Sequence, residues 1–130
     1  MLEVVVAVSI LTVGLLAIAT LQGAAIRGNN AAVGHSIAAT VASDRMEKIL
    51  AMEKDSPQLQ DSDNDGLDGI HDTGADADHA LTDQNINGMQ FDIFWNVAPD
   101  SPNTGNQTIG LIVVWNDRGR TRRVEMLGIK

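Results

Sequence analysis

The chain has 130 residues, a formal net charge of −8 and no cysteine. This length gives room for one small domain with a modest core. The negative charge argues against general nucleic-acid binding through phosphate neutralisation. The lack of cysteine excludes disulfides, thiolate metal sites and cysteine nucleophiles.

A long apolar segment opens the chain, with the sequence MLEVVVAVSILTVGLLAIATLQ. No charged residue lies between Val4 and Leu21, and roughly 20 helical residues cover the 30 Å hydrocarbon core of a bilayer. The segment is apolar on every side, whereas a surface helix of a soluble domain has a single apolar stripe. We therefore predict that residues 1–24 form a helix that crosses a membrane or is buried among other chains. The alternative is a signal peptide, but no basic residue precedes the apolar run.

Residues 25–54 are predicted to continue this helix, because the first proline is Pro57 and the segment is rich in good helix formers. Its apolar residues share one broad side of a helical wheel, which Arg45 interrupts. These residues are Ile37, Ala38, Val41, Ala42, Met46, Ile49 and Leu50. The second half of the helix is thus amphipathic.

An acidic loop is predicted over residues 55–88, since residues 55–83 hold nine Asp and no Lys or Arg. Its sequence DSDNDG, at 61–66, matches the D-x-D-x-D-G opening of a calcium loop. The predicted ligands are the carboxylates of Asp61, Asp63, Asp65 and Asp72 and the backbone carbonyl of Leu67, with Asp68 as a substitute for Asp72. Because Asp72 stands where a longer, bidentate Glu is usual, we expect weak binding, on the order of 10⁻⁴–10⁻³ M. The alternative is a solvated acidic loop without a metal.

Three strands are predicted over residues 89–130. Met89–Trp95 alternates apolar and polar residues, Gln107–Trp115 is a β-branched run, and Thr121–Ile129 returns after a turn at 116–119. An antiparallel sheet of about three strands needs a cover for its apolar face, and the amphipathic half of the helix supplies one. The predicted fold class is therefore α+β, with a long N-terminal helix packed on a small antiparallel sheet.

Few other residues suggest chemistry. No nucleophile motif, phosphate loop or dinucleotide fingerprint occurs, so we do not expect an enzyme or a small-molecule substrate. His71 and His79 lie near several aspartates and form a weak candidate for a transition-metal site. The arginines between Arg118 and Arg123 either pair with a neighbour's acidic loop or form a solvated hairpin.

The apolar opening with its Leu-Glu-Val step is similar to the N-terminal segment of type IV pilins and of type II secretion pseudopilins. The continuation AAIRGNNAAVGHSIAATVASDRMEKILAM and the ending LIVVWNDRGRTRRVEMLGIK resemble those of PilV-like minor pilins and, next, of minor pseudopilins. The resemblance covers both ends of the chain and little of the acidic loop. It implies a pilin-like subunit that sits in the inner membrane with residues 25–130 as a periplasmic head, and then moves into an extracellular pilus.

The resemblance also implies a role for Glu3, whose carboxylate would meet the N-terminal amine of a neighbouring subunit during assembly. The expected partners are other pilin subunits and the inner membrane, without nucleic acid. Family members carry a basic leader that ends before a Phe, so the resemblance places Met1 about two residues inside the mature form. Two alternatives stay open: a minor pseudopilin of type II secretion, or a calcium-dependent surface binding module held by a signal anchor.

Overall fold

The computed structural model describes residues 1–130. One helix, α1, spans Leu2–Ala51, and four strands follow: β1 at His79–Ile86, β2 at Met89–Pro99, β3 at Gln107–Asp117 and β4 at Arg120–Ile129. Two short 3₁₀ helices cover Pro57–Leu59 and Gly74–Asp76. The chain divides into two compact units, residues 1–33 and residues 34–130.

The first unit is helical and leaves its apolar side chains exposed all round. Its large apolar residues from Val4 to Leu21 are each more than half exposed, and the helix is long and apolar enough to cross a membrane. Its hydroxyl groups are already satisfied, because Ser9 donates to the carbonyl of Val5 at 2.7 Å and Thr12 to that of Val8 at 2.7 Å. Such back-bonding lets a hydroxyl lie in an apolar environment without losing a hydrogen bond.

The second unit is built on an antiparallel sheet with the order β1-β2-β3-β4. This confirms the α+β class and the antiparallel sheet, but the sheet has four strands where about three were predicted. The additional strand, β1, lies inside the predicted loop at 55–88, so that prediction was wrong for residues 79–86. A two-residue turn at Asn87 and Gly88, both with positive φ, joins β1 to β2, as tight hairpins require.

The inner face of the sheet packs against the second half of α1, as the apolar pattern of the helix predicted. Alternate residues of β2 and β3 form the core together with the helix residues Ala38, Ala42, Met46 and Ile49. Arg45 interrupts the apolar side by placing its guanidinium 4.4 Å from the ring centroid of Trp95, a cation–π contact. At the end of the helix, Lys130 donates to the carbonyls of Leu50 and Met52, which have no partner within the helix.

The outer face of the sheet is also covered, so β2 is buried on both sides from Ile93 to Ala98. The cover belongs to residues 55–78, which we call the acidic segment. Leu59 of this segment packs in the core on the helix side, so the cover itself comes from the residues after it. Ile70 of this segment is buried. Its carbonyl approaches Gly110 of β3 so closely that a Cβ there would lie 2.2 Å from the oxygen. A glycine is thus required under the acidic segment for steric reasons.

Candidate metal site in the acidic segment

The turn at Asp61–Gly66 is folded around one carboxylate. Asp61 accepts hydrogen bonds from the backbone N–H groups of Asn64 at 2.8 Å and Gly66 at 3.1 Å. Asn64 and Gly66 both have positive φ, at 67° and 60°, and Asn and Gly are the residues that adopt this conformation most readily. The sequence DSDNDG therefore forms a tight turn by its own local chemistry.

This turn brings three predicted ligands together. One carboxylate oxygen each from Asp61, Asp63 and Asp65 lie within 4.8 Å of one another. Two oxygens that both bind a calcium ion at about 2.4 Å are at most about 4.8 Å apart, so the spacing fits one shared ion. The three carboxylates form half of a calcium shell, which needs six to eight oxygens.

The electrostatics of the cluster favour a positive partner. Desolvation, the charge and hydrogen bond of Asp63, and the charges of Asp72 and Asp61 together raise the pKa of Asp65 to about 6. Like charges held this close oppose each other's ionisation. A divalent cation at this point would relieve the repulsion, since it would compensate several carboxylates at once.

The other predicted ligands lie in the turns that follow the three-carboxylate loop. The carbonyl of Leu67 accepts the N–H of Ile70 at 3.4 Å, and the N–H of Asp68 donates to the carbonyl of Asp65 at 3.2 Å. Both residues thus take part in consecutive turns after the loop. Asp72 is near enough to raise the pKa of Asp65, but its carboxylate is not grouped with the other three.

The acidic segment is held to the sheet by two residues that the sequence did not single out. Asn96 of β2 is 2 % exposed; its side chain accepts from the N–H of Asp78 and donates to the carbonyl of Asp72, both at 2.9 Å. The carboxylate of Asp78 accepts from the N–H of Val97 at 2.9 Å and from the N–H of Ser62. No local motif marks these contacts, which join residues 16 to 24 positions apart.

The two histidines are not part of a metal cluster. The ring of His79 stacks on Trp95 with centroids 5.2 Å apart, and its Nε2 lies 2.9 Å from the carbonyl oxygen of Gln60. His71 faces Glu125 of β4, with Nδ1 3.4 Å from the carboxylate. Both rings therefore have structural neighbours, and neither is grouped with the carboxylates of Asp61, Asp63 and Asp65.

Glu3 lies in the first turn of α1 and is exposed. A carboxylate is favourable there because the first turn presents unpaired N–H groups and the positive end of the helix dipole. It belongs to the first compact unit, which has no other acidic residue.

Comparison with known proteins adds no assignment. No protein-family model matches the chain, and neither a curated protein nor a solved structure gives a significant match.

Proposed function

We propose that the chain is a structural subunit of a type IV pilus, a minor pilin that acts in pilus assembly, in initiation or at the tip. The observation that carries the proposal is the first unit, whose apolar side chains are exposed on every side over a length that matches a bilayer. A surface of this kind is stable only in lipid or among similar helices. A folded head on such a helix fits a subunit that leaves the membrane for a filament core.

Glu3 is assigned the role of positioning the helix during assembly. A carboxylate enclosed by apolar helices is costly unless it meets a positive group. In the membrane, Glu3 lies at the end of the apolar run, where headgroups and water solvate it. In a filament it would be paired by a neighbouring subunit's terminal amine, so removing its charge should affect recruitment more than membrane insertion.

The experiment compares the wild-type chain with Glu3→Gln and the matched control Glu47→Gln, an exposed glutamate in the second half of α1. Each is expressed in the natural host in place of the chromosomal copy. Surface filaments are sheared off, and the chain is quantified by immunoblot in the filament and membrane fractions. We expect all three variants in the membrane and a strong loss of Glu3→Gln alone from the filaments.

Two outcomes would overturn the proposal in different ways. Equal recruitment of Glu3→Gln would remove the role of that carboxylate while leaving the filament subunit intact. A wild-type chain that stays in the membrane and never enters filaments would favour a signal-anchored binding module. Loss of protein secretion without loss of surface pili, on deletion of the gene, would favour the minor pseudopilin.

We further propose that the acidic segment takes one calcium ion in a structural role, with Asp61, Asp63 and Asp65 as its central ligands. The supporting observation is the 4.8 Å spacing of their oxygens together with the raised pKa of Asp65. Calcium would be held outside the cell, where its concentration matches a weak site. The ion would stabilise the turn at 61–66 without any part in catalysis.

The calcium proposal is tested on the full chain in detergent by calorimetric melting, in chelator and in millimolar calcium. We expect calcium to raise the melting temperature of the wild type and to have no effect on an Asp63→Asn, Asp65→Asn double variant. A control with the same charge change elsewhere in residues 55–83, Asp55→Asn with Asp83→Asn, should keep the response. Equal responses in the two double variants, or no response in the wild type, would refute the site.

A further inference from the structure

The two edge strands of the sheet, β1 and β4, differ in how regular their pairing is. At β1 the pairing is irregular between Leu81 and Gln84. The side-chain amide of Gln84 donates to the carbonyl of Thr82, and the N–H of Asp83 donates to the carboxylate of Asp92, both at 2.9 Å. A bulge and side chains that occupy backbone groups are the usual protection of an edge strand. The β1 edge is therefore irregular around residues 81–84, where it offers a poor template for another strand.

The β4 edge has none of these features. Its pairing with β3 runs without a register shift from Asp117 opposite Arg120 to Thr108 opposite Ile129. Beyond it, Gln107 and Lys130 exchange two backbone hydrogen bonds at 2.9 Å. In an antiparallel ladder such pairs alternate with pairs that point away from the partner, so the odd-numbered residues of β4 direct their N–H and C=O groups outward. These residues are Thr121, Arg123, Glu125, Leu127 and Ile129.

The free edge is long, regular in register and partly apolar. No side chain or loop of the chain hydrogen-bonds to the outward backbone groups of β4. Leu127 and Ile129 are each 61 % exposed and lie on the same strand face as Arg123 and Glu125, which pair with each other at 2.9 Å. An exposed, regular edge with apolar side chains is a template for an additional strand.

The charges of this edge select one self-complementary register. With Val124 opposite Val124 in an antiparallel pair, Arg123 lies opposite Glu125 on both sides of the centre. If the two-fold axis passes through residue 123 instead, Arg123 lies opposite Arg123 of the other copy. If it passes through residue 125, Glu125 lies opposite Glu125. Opposite charges across an antiparallel pair stabilise it, and like charges destabilise it.

We propose that β4 is the interface for a second copy of this chain, which pairs with it antiparallel across a two-fold axis at Val124. The pairing would form about eight backbone hydrogen bonds between residues 121 and 127 of the two strands. It would also place Leu127 beside Thr121 of the other copy and join the two sheets into one. This inference does not depend on the proposed function, because it rests on the head alone.

The symmetry separates this contact from the growth of a filament. A two-fold axis reverses the direction of β4, whereas successive subunits of a filament share one direction and meet through two different surfaces. The paired copies are therefore not neighbours along one filament.

The test uses the lack of cysteine in the chain. In the proposed register only residue 124 lies opposite itself, with a Cα separation of roughly 4.5 Å, which a disulfide can bridge. The full chain is purified in detergent as Val124→Cys and as the control Thr121→Cys, oxidised, and analysed on non-reducing gels. We expect a covalent dimer for Val124→Cys and none for Thr121→Cys. Equal cross-linking of both, or none of either, would overturn the proposed interface.

Charge reversal provides a second test that needs no cysteine. Sedimentation measures self-association of Glu125→Arg, of Arg123→Glu and of the variant that carries both changes. Each single reversal puts like charges opposite each other and should weaken the dimer by roughly tenfold, whereas the double variant should restore it. A wild type that remains monomeric, or single variants that associate as well as it does, would refute the pairing.

Discussion

Replacing Asn96 with alanine is expected to release the acidic segment from the outer face of the sheet. The side chain of Asn96 is 2 % exposed and makes hydrogen bonds to the backbones of Asp72 and Asp78. Alanine fills part of the volume but leaves an N–H and a C=O without partners. Because both groups lie in the segment and not in the sheet, the segment can regain hydrogen bonds to water only by detaching.

The loss of stability follows from the two unpaired backbone groups, the N–H of Asp78 and the C=O of Asp72. Each buried polar group left unsatisfied costs about 1–3 kcal/mol, so the variant should lose at least about 2 kcal/mol of the free energy of unfolding. For a head of about 100 residues this corresponds to a fall in melting temperature of roughly 8–16 °C.

Two measurements check this prediction against the control Asn103→Ala, an exposed residue whose side chain makes no hydrogen bond. Calorimetry gives the melting temperature, and hydrogen exchange followed by mass spectrometry gives the protection of residues 61–78. We expect faster exchange in the segment of Asn96→Ala, with little change in β3 and β4. Unchanged exchange and a melting temperature within about 2 °C of the control would refute the anchoring role.

Two further predictions concern the same segment. In chelator, the pKa of Asp65 lies at about 6 in the folded chain against 3.8 in the unfolded chain, so its contribution to stability is present below pH 3.8 and is lost as the pH rises through 6. The wild type should therefore gain stability relative to Asp65→Asn when the pH falls from 7.5 to 5, and identical pH profiles of melting temperature would contradict this. Gly110→Ala should lower the melting temperature more than Gly128→Ala, since the new Cβ at 110 meets the backbone carbonyl of Ile70, whereas that at 128 meets the flexible side chain of Met46. Equal melting temperatures would contradict this, because they would show that the backbone at Ile70 moves away from the new Cβ at little cost in free energy.

The helix and the inner face of the sheet could be predicted from the sequence because their patterns are regular. The apolar run without charge specified the first half of α1, and the apolar side of its second half is the side that the structure buries. The alternation in β2 and β3 placed Phe91, Ile93 and Trp95 on the face that meets the helix. In each case one period holds along a whole element, and burial follows that period.

The strand β1 could not be predicted from the sequence because its apolar residues do not follow the two-residue period of a strand. Leu81 and Ile86 are five positions apart, which in a regular strand would put them on opposite faces. The irregularity between Leu81 and Gln84 shifts the register, so both residues pack toward the helix side. Polar residues fill the space between them, and no propensity argument distinguishes such a sequence from a loop.

The contacts that hold the acidic segment could not be predicted from the sequence. The sequence suggested calcium binding within the segment, and calcium remains a prediction. The structure shows in addition that Asn96 and Asp78 hold the segment through contacts with distant backbone groups. An asparagine inside an alternating strand carries no signal of what it will bind, because its partners are chosen by the tertiary fold.

The position of the acidic segment in the chain has a consequence for how the head folds. The segment precedes every strand that it packs on, and its anchoring groups at residues 96, 97 and 110 are synthesised after it. During vectorial emergence from a ribosome or a translocation channel, these anchoring groups are absent until β2 and the start of β3 have appeared. The part of the segment that covers the outer face can therefore dock only after those strands have emerged, and its many negative charges keep it soluble until then.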